Sequence, residues 1–144
     1  MREAPVLRSD QDVGSALEQI LLSGLPGLPV VDGSGRLCGI FGEREFIAAL
    51  FPKYLGELGS ARFVSKALDS LLERRAECRH DPVGRYMTTD HVELRSDYSD
   101  AQVAETFLHH RVLILPIIDH GRVLGVITRS DFFRVLVERF GQLT

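Results

Sequence analysis

The chain carries an internal duplication. Leu7-Arg8-Ser9-Asp10 recurs as Leu94-Arg95-Ser96-Asp97, and at the same offset of 87 residues Leu28-Pro29-Val30-Val31-Asp32 returns as Leu115-Pro116-Ile117-Ile118-Asp119 with only Val/Ile exchanges. Between these blocks Glu18 falls on Glu105 and Leu21 on Leu108 without a gap. One residue is then lost in a turn, so that at an offset of 86 Gly35-Arg36 falls on Gly121-Arg122, Gly39 on Gly125 and Phe46 on Phe132. Such a repeat constrains the fold strongly, because each copy must be one supersecondary unit that buries its apolar face against a neighbour. A copy of about 50 residues buries too little surface to be stable alone. The two copies are therefore expected to share a core about a pseudo-two-fold axis.

Each copy reads as strand, helix, strand, strand, helix, a mixed α/β (α+β) arrangement. Val13, Ala16, Leu17, Ile20 and Leu21 recur at helical spacing, as do Ala101, Ala104, Phe107 and Leu108. Ser99 followed by Gln102 is a capping-box start, and Asp10 and Asp97 read as helix caps at matching places. Apolar runs at 28–31 and 37–41 flank Asp32-Gly33-Ser34-Gly35 and predict a hairpin, which 114–118 and 123–127 repeat around His120-Gly121. A helix over 44–50, stopped by Pro52, follows the first hairpin; one over 130–140, with Phe133, Leu136, Val137 and Phe140 on one face, follows the second. The chain thus divides into a first copy (1–51), a helical connector (52–85) and a second copy (86–144). In the connector Phe63, Val64, Ala67, Leu68, Leu71 and Leu72 form a helical stripe, which predicts a helix packed on the domain.

Composition narrows the function classes. The chain has 144 residues and a formal charge of −3, with 44% hydrophobic and 26% charged residues, the profile of a soluble globular protein. Its basic residues form no block that would follow a phosphate backbone, so a nucleic-acid partner is not expected. No apolar run reaches the roughly 18 residues that span a bilayer, and no secretory signal is seen, so membrane insertion is not expected either. Two cysteines without CxxC spacing make a reducing cytoplasm the expected location. His109 and His110 are adjacent and diverge on a helix, so no metal site is expected. Without a nucleophile placed beside a base, or a phosphate-binding glycine loop, no catalytic residues are assigned.

The order of elements, the segment Leu115-Pro116-Ile117-Ile118-Asp119 and the run Gly125-Val126-Ile127-Thr128-Arg129-Ser130-Asp131 resemble the cystathionine-β-synthase (CBS) domain. Two copies in one chain resemble a CBS pair, or Bateman module, over nearly all of the chain except the connector. The resemblance implies a regulatory module that binds an adenosyl ligand (AMP, ADP, ATP or S-adenosylmethionine) in a cleft between the copies, with no other cofactor. It also implies further pairing into a homodimer and signalling to a protein partner by conformational change. The alternative is a dimerisation scaffold whose clefts hold no ligand.

The most informative segment is Thr128-Arg129-Ser130-Asp131, where a strand becomes a helix. Thr at an N-cap with Asp three residues on is a capping box, which serves helix stability alone. The same geometry offers free N–H groups, positive dipole and a hydroxyl beside a carboxylate, which suit a ribose. The resemblance implies that Asp131 accepts from the ribose hydroxyls and that Thr128 contacts the ribose or first phosphate. It further implies that Val112, Leu113 and Ile114 read the adenine edge through their backbone, and that 88–92, including Thr88 and His91, packs around the base in the same cleft. Arg129 and Arg111 are the phosphate candidates, as guanidinium presents a fork of donors. The first copy departs from the pattern: Gly42 and Glu45 replace Thr128 and Asp131, Pro26 replaces Leu113, and a Met-Thr opening is missing. Its site is expected to be weak or empty.

Overall fold

The computed structural model describes residues 1–51 and 61–143. In the first copy β1 (Leu7–Arg8), α1 (Val13–Ser23), β2 (Gly27–Val31), β3 (Leu37–Gly42) and α2 (Glu43–Leu50) follow in order. Helix α3 (Ala61–Arg74) and two short 3-10 turns, Ala76–His80 and Val83–Arg85, lead to the second copy. There β4 (Leu94–Arg95), α4 (Asp100–His109), β5 (Ile114–Asp119), β6 (Arg122–Thr128) and α5 (Arg129–Gly141) repeat the first order. Pro52, expected to stop α2, lies outside the described residues.

Local chemistry explains the boundaries. Helix α1 starts where the Asp12 carboxylate accepts from the Ser15 N–H at 2.7 Å, and ends at Gly24, whose φ of 69° is left-handed. Helix α4 starts with the full Ser99/Gln102 capping box. The caps are thus Asp12 and Ser99: the Ser99 box stands as expected, whereas Asp10 and Asp97 lie two residues before the caps. Asp10 instead faces Arg8 in solvent. Asp32 closes the first hairpin by accepting from Ser34 and Arg36, and the Ser34 hydroxyl leads the contacts that lower its pKa below 3.8. The second hairpin turns on His120 and Gly121, both at positive φ, a two-residue turn that accounts for the lost residue.

Each copy builds a three-stranded sheet, β1-β2-β3 or β4-β5-β6, with a parallel first pair and an antiparallel second. Both sheets carry a register shift at the same repeat position, Val30/Val31 and Ile117/Ile118. The copies then exchange backbone. Arg2 bridges Val126 of β6, and Thr88 bridges Ile40 of β3, so the segment leading into each copy extends the other copy's sheet. The two bridges are equivalent at an offset of 86, which is the expected pseudo-symmetry seen in hydrogen bonds. It explains the repeated glycines Gly39 and Gly125, where a β-carbon would lie 2.7 Å from the Thr88 carbonyl oxygen and 2.6 Å from that of Arg2.

The core is shared as the repeat requires. The first-copy cluster of Leu7, Val13, Ala16, Ile20, Leu28, Val30 and Phe41 takes in Val126 from the second copy. The second cluster is smaller, around Val103, Leu115, Ile117 and Ile127, with Phe107 and Phe132 tilted against each other at 5.9 Å. Val103 is the core residue of α4, whereas Ala101, Ala104 and Leu108, read as its apolar face, are exposed. The face of Phe133, Leu136, Val137 and Phe140 on α5 is also exposed, and Phe132 faces inward instead. The connector differs from expectation in a similar way. Leu68 and Leu72 are exposed, and the side chains of Phe63, Val64 and Ala67 lie outside the described residues. Among the described residues the 3-10 portion anchors the connector, with Cys78 and Val83 buried and the Asp81 carbonyl accepting from the Val13 N–H at 2.9 Å, and Arg75 adds a bond to the Ala49 carbonyl at 2.8 Å. Among the described residues no helix is long and apolar enough to cross a membrane.

Candidate functional site

The exchange of leading segments opens two clefts between the copies. The first, of about 710 Å³, is walled by α1, the Gly24–Leu25–Pro26 loop, Glu43 and Phe46 of α2, Leu113, and the start of α5 with Thr128, Arg129, Ser130, Asp131 and Arg134. Arg2 closes one side of it. The second, of about 320 Å³, is walled by Gly27, Ile40, Arg44 and Glu45 of the first copy and by Thr88, Asp90, His91 and residues 111–114 of the second. Both volumes fall within the roughly 300–1,000 Å³ typical of small-molecule sites.

In the first cleft Thr128 is buried, and its hydroxyl oxygen accepts from the Asp131 N–H at 2.9 Å. This is half of a capping box. The other half is missing because the Asp131 carboxylate turns into the cleft, where Arg2 Nη2 donates to its Oδ1 at 2.9 Å. Arg2 is held for this contact by its backbone, which donates to and accepts from Val126 at 2.8 Å each way. Arg129 and Arg134 flank the acid, and among the described residues neither makes an ion pair.

The second cleft is built on the same plan with different chemistry. Glu45 stands at the position of Asp131, and burial raises its pKa above the ordinary 4.5, with hydrogen bonds from the Glu45 and Gly42 backbone and the Arg44 charge opposing. Thr88 stands at the position of Arg2, and among the described residues Glu45 makes no ion pair, although Arg111 of the second copy lines the same cleft. His91 Nδ1 is buried there without a hydrogen-bond partner among the described residues.

The residues expected in one cleft are therefore divided between two. Thr128, Arg129 and Asp131 line the first, while Thr88, His91, Arg111, Val112 and Ile114 line the second; Leu113 touches both. The reason is the backbone exchange: Thr88 is carried onto the first copy's β3, away from its own copy's α5. Arg2, Glu43 and Arg134 line the first cleft without being singled out by the sequence. The repeat held a signal for Arg2, because Met1-Arg2 falls on Met87-Thr88 at the 86 offset, so the opening is retained with one residue changed.

Two copies of one strand-and-helix unit, each completing the other's sheet around a shared core, define a paired α/β module. The CBS domain sequence profile matches residues 1–52 and 83–138, and the chain belongs to the CBS domain family as a Bateman-type pair. It is 25% identical over 130 residues to the uncharacterised protein MJ1225 of Methanocaldococcus jannaschii, covering 90% of this chain and 38% of that protein. The chain thus spans well under half of that relative. Among solved structures it resembles a CBS domain-containing protein of unknown function from Kribbella flavida, with a TM-score of 0.72, 22% identity and 94% of each chain covered. It also resembles CBSX2, a protein solved from Arabidopsis thaliana, in its complex with AMP, with a TM-score of 0.68, 22% identity, and 95% and 90% coverage.

Proposed function

We propose that the chain is a regulatory module that binds an adenosyl ligand, mainly in the larger cleft, and passes its occupancy to a protein partner through the angle between the copies. The observation that carries this reading is Asp131, a carboxylate held beside the buried Thr128 hydroxyl at the start of α5 and turned into a cleft of about 710 Å³. Asp131 and Thr128 grip the ribose, and Arg129 serves a phosphate. In the smaller cleft Thr88, His91, Arg111 and the 112–114 backbone surround a weaker or empty site. AMP in the CBSX2 complex supports an adenine ligand for this fold. The working unit is copy 1–51, connector 52–85 and copy 86–144, as a cytoplasmic homodimer without catalysis of its own and without a nucleic-acid partner. A ligand can switch such a module only by binding two shapes unequally.

Calorimetric titration with AMP, ADP, ATP and S-adenosylmethionine, repeated on Asp131→Ala, tests the reading. Binding below millimolar that is lost in the variant supports it. No binding of any adenosyl compound, or equal binding by the variant, overturns it.

The second reading is a dimerisation scaffold, favoured by the Arg2–Asp131 pair that already occupies the carboxylate, and both readings share the exposed apolar helices. Leu21 of α1 and Leu108 of α4 are each 82% exposed, and Phe133 and Phe140 of α5 are 65% and 78% exposed. Apolar surface grouped on helices is the usual mark of an interface. A stable dimer whose melting temperature no nucleotide raises would select the scaffold.

A further inference from the structure

Asp131 is not free in this structure. Its Oδ1 accepts from Arg2 Nη2 at 2.9 Å, and the partner comes from the opposite copy, 129 residues away in sequence. We propose that Arg2 is a latch that sets the ligand class of the larger cleft: it opposes uncharged ribosyl ligands and admits phosphorylated ones. The inference rests on the adenosyl reading and adds to it a residue and a selectivity.

Ribose hydroxyls that use both oxygens of Asp131 must share or take Oδ1 from a guanidinium already bonded to it, and a charge-assisted pair is the stronger of the two. The Arg2 backbone, bonded on both sides to Val126, keeps the root of the side chain at the cleft wall, although the side chain itself is 46% exposed. Displaced by a nucleoside, Arg2 stays at the cleft wall without its counter-charge. Displaced by a nucleotide, it exchanges the carboxylate for a phosphate, so the ligand replaces what it removes. Arg129 and Arg134 line the same cleft, and Glu43 is its only other acidic wall residue among those described. A sulfonium such as that of S-adenosylmethionine adds positive charge beside three guanidiniums, so the order is phosphorylated adenosine first, then adenosine and S-adenosylmethionine. Among the described residues the smaller cleft has no such ion pair, because Thr88 takes the place of Arg2, although Arg44 and Arg111 line it.

The experiment measures AMP, ADP, adenosine and S-adenosylmethionine binding to the full chain, to Arg2→Ala and to Arg2→Gln, with melting temperature as a check of folding. The native chain should bind AMP at least about tenfold more tightly than adenosine, the value of a single charge-assisted bond. Both variants should narrow that ratio to roughly threefold or less, with adenosine gaining affinity as AMP loses it. Gly125→Ala, whose β-carbon would lie 2.6 Å from the Arg2 carbonyl oxygen, should displace the segment and narrow the ratio in the same direction. An unchanged ratio in Arg2→Ala and Arg2→Gln, or equal binding of AMP and adenosine by the native chain, overturns the latch and leaves the adenosyl reading standing. Absence of binding by every ligand to every variant overturns the adenosyl reading and the latch with it.

Discussion

The carbonyl oxygen of Pro26 stands against Gly42, where a β-carbon on the glycine would lie 2.3 Å from it. The same carbonyl accepts the first N–H of α2, from Glu43 at 3.0 Å, and the equivalent Leu113 carbonyl accepts from Arg129 at 2.9 Å in the second copy. Proline at 26 therefore costs the fold nothing, because the tie uses its carbonyl and not the N–H it lacks. Glycine at 42 is a packing requirement, since Gly27 Cα lies only 2.6 Å from the same β-carbon position. The first copy's departure from Thr-x-x-Asp is thus built into its backbone.

Restoring the motif should consequently fail. Gly42→Thr is expected to destabilise the chain by about 1–3 kcal/mol through overpacking against backbone. Urea unfolding of the variant beside the native chain measures this, and an unchanged midpoint would show that the loop has room to move.

Thr128 serves α5 as well as the cleft. Thr128→Ala removes the acceptor for the Asp131 N–H and should cost about 1 kcal/mol, the usual value of an N-cap. Thr128→Ser keeps the oxygen and should recover most of that loss. If serine and alanine unfold alike, the hydroxyl bond contributes little.

Glu45 gives the chain a pH dependence of known sign. Burial disfavours its charged form, so its folded pKa lies above the ordinary 4.5. The stability linked to the neutral form is fully present below that value and is lost as pH rises through the folded pKa. Glu45→Gln should therefore melt at a higher temperature than the native chain at pH 7, with the gap closing as pH falls toward 4.5. A constant gap across that window would mean that Glu45 is charged throughout.

The apolar helix face predicts association. Phe133 and Phe140 are exposed in the single chain, so Phe133→Glu with Phe140→Glu should leave the fold intact while turning a dimer into a monomer in sedimentation. A double variant that sediments as the native chain does would remove α5 from the interface.

Much of the fold is legible in adjacent residues. The repeated Leu-Pro-Val-Val-Asp and Leu-Pro-Ile-Ile-Asp strands, the Ser99 box and the Thr128 cap are local patterns in which neighbouring residues satisfy one another's hydrogen bonds. They appear in the structure where the residues stand. Choices between helix faces were less legible: period alone ranked Ala101, Ala104 and Leu108 beside Phe107, whereas contact with β5 and β6 side chains buries Val103.

The sequence by itself determined the duplication, the element order and the unequal motifs, because each is written in adjacent residues and in a constant offset. Tertiary structure alone decided which residues meet. Arg2 reaches Val126 and Thr88 reaches Ile40 through backbone bonds, which depend little on residue type and whose one trace in the repeat is the glycine pair Gly39 and Gly125. That exchange sends Thr88, His91 and Arg111 to one cleft and brings Arg2 to Asp131 in the other, so the composition of each site was set by a pairing between distant strands.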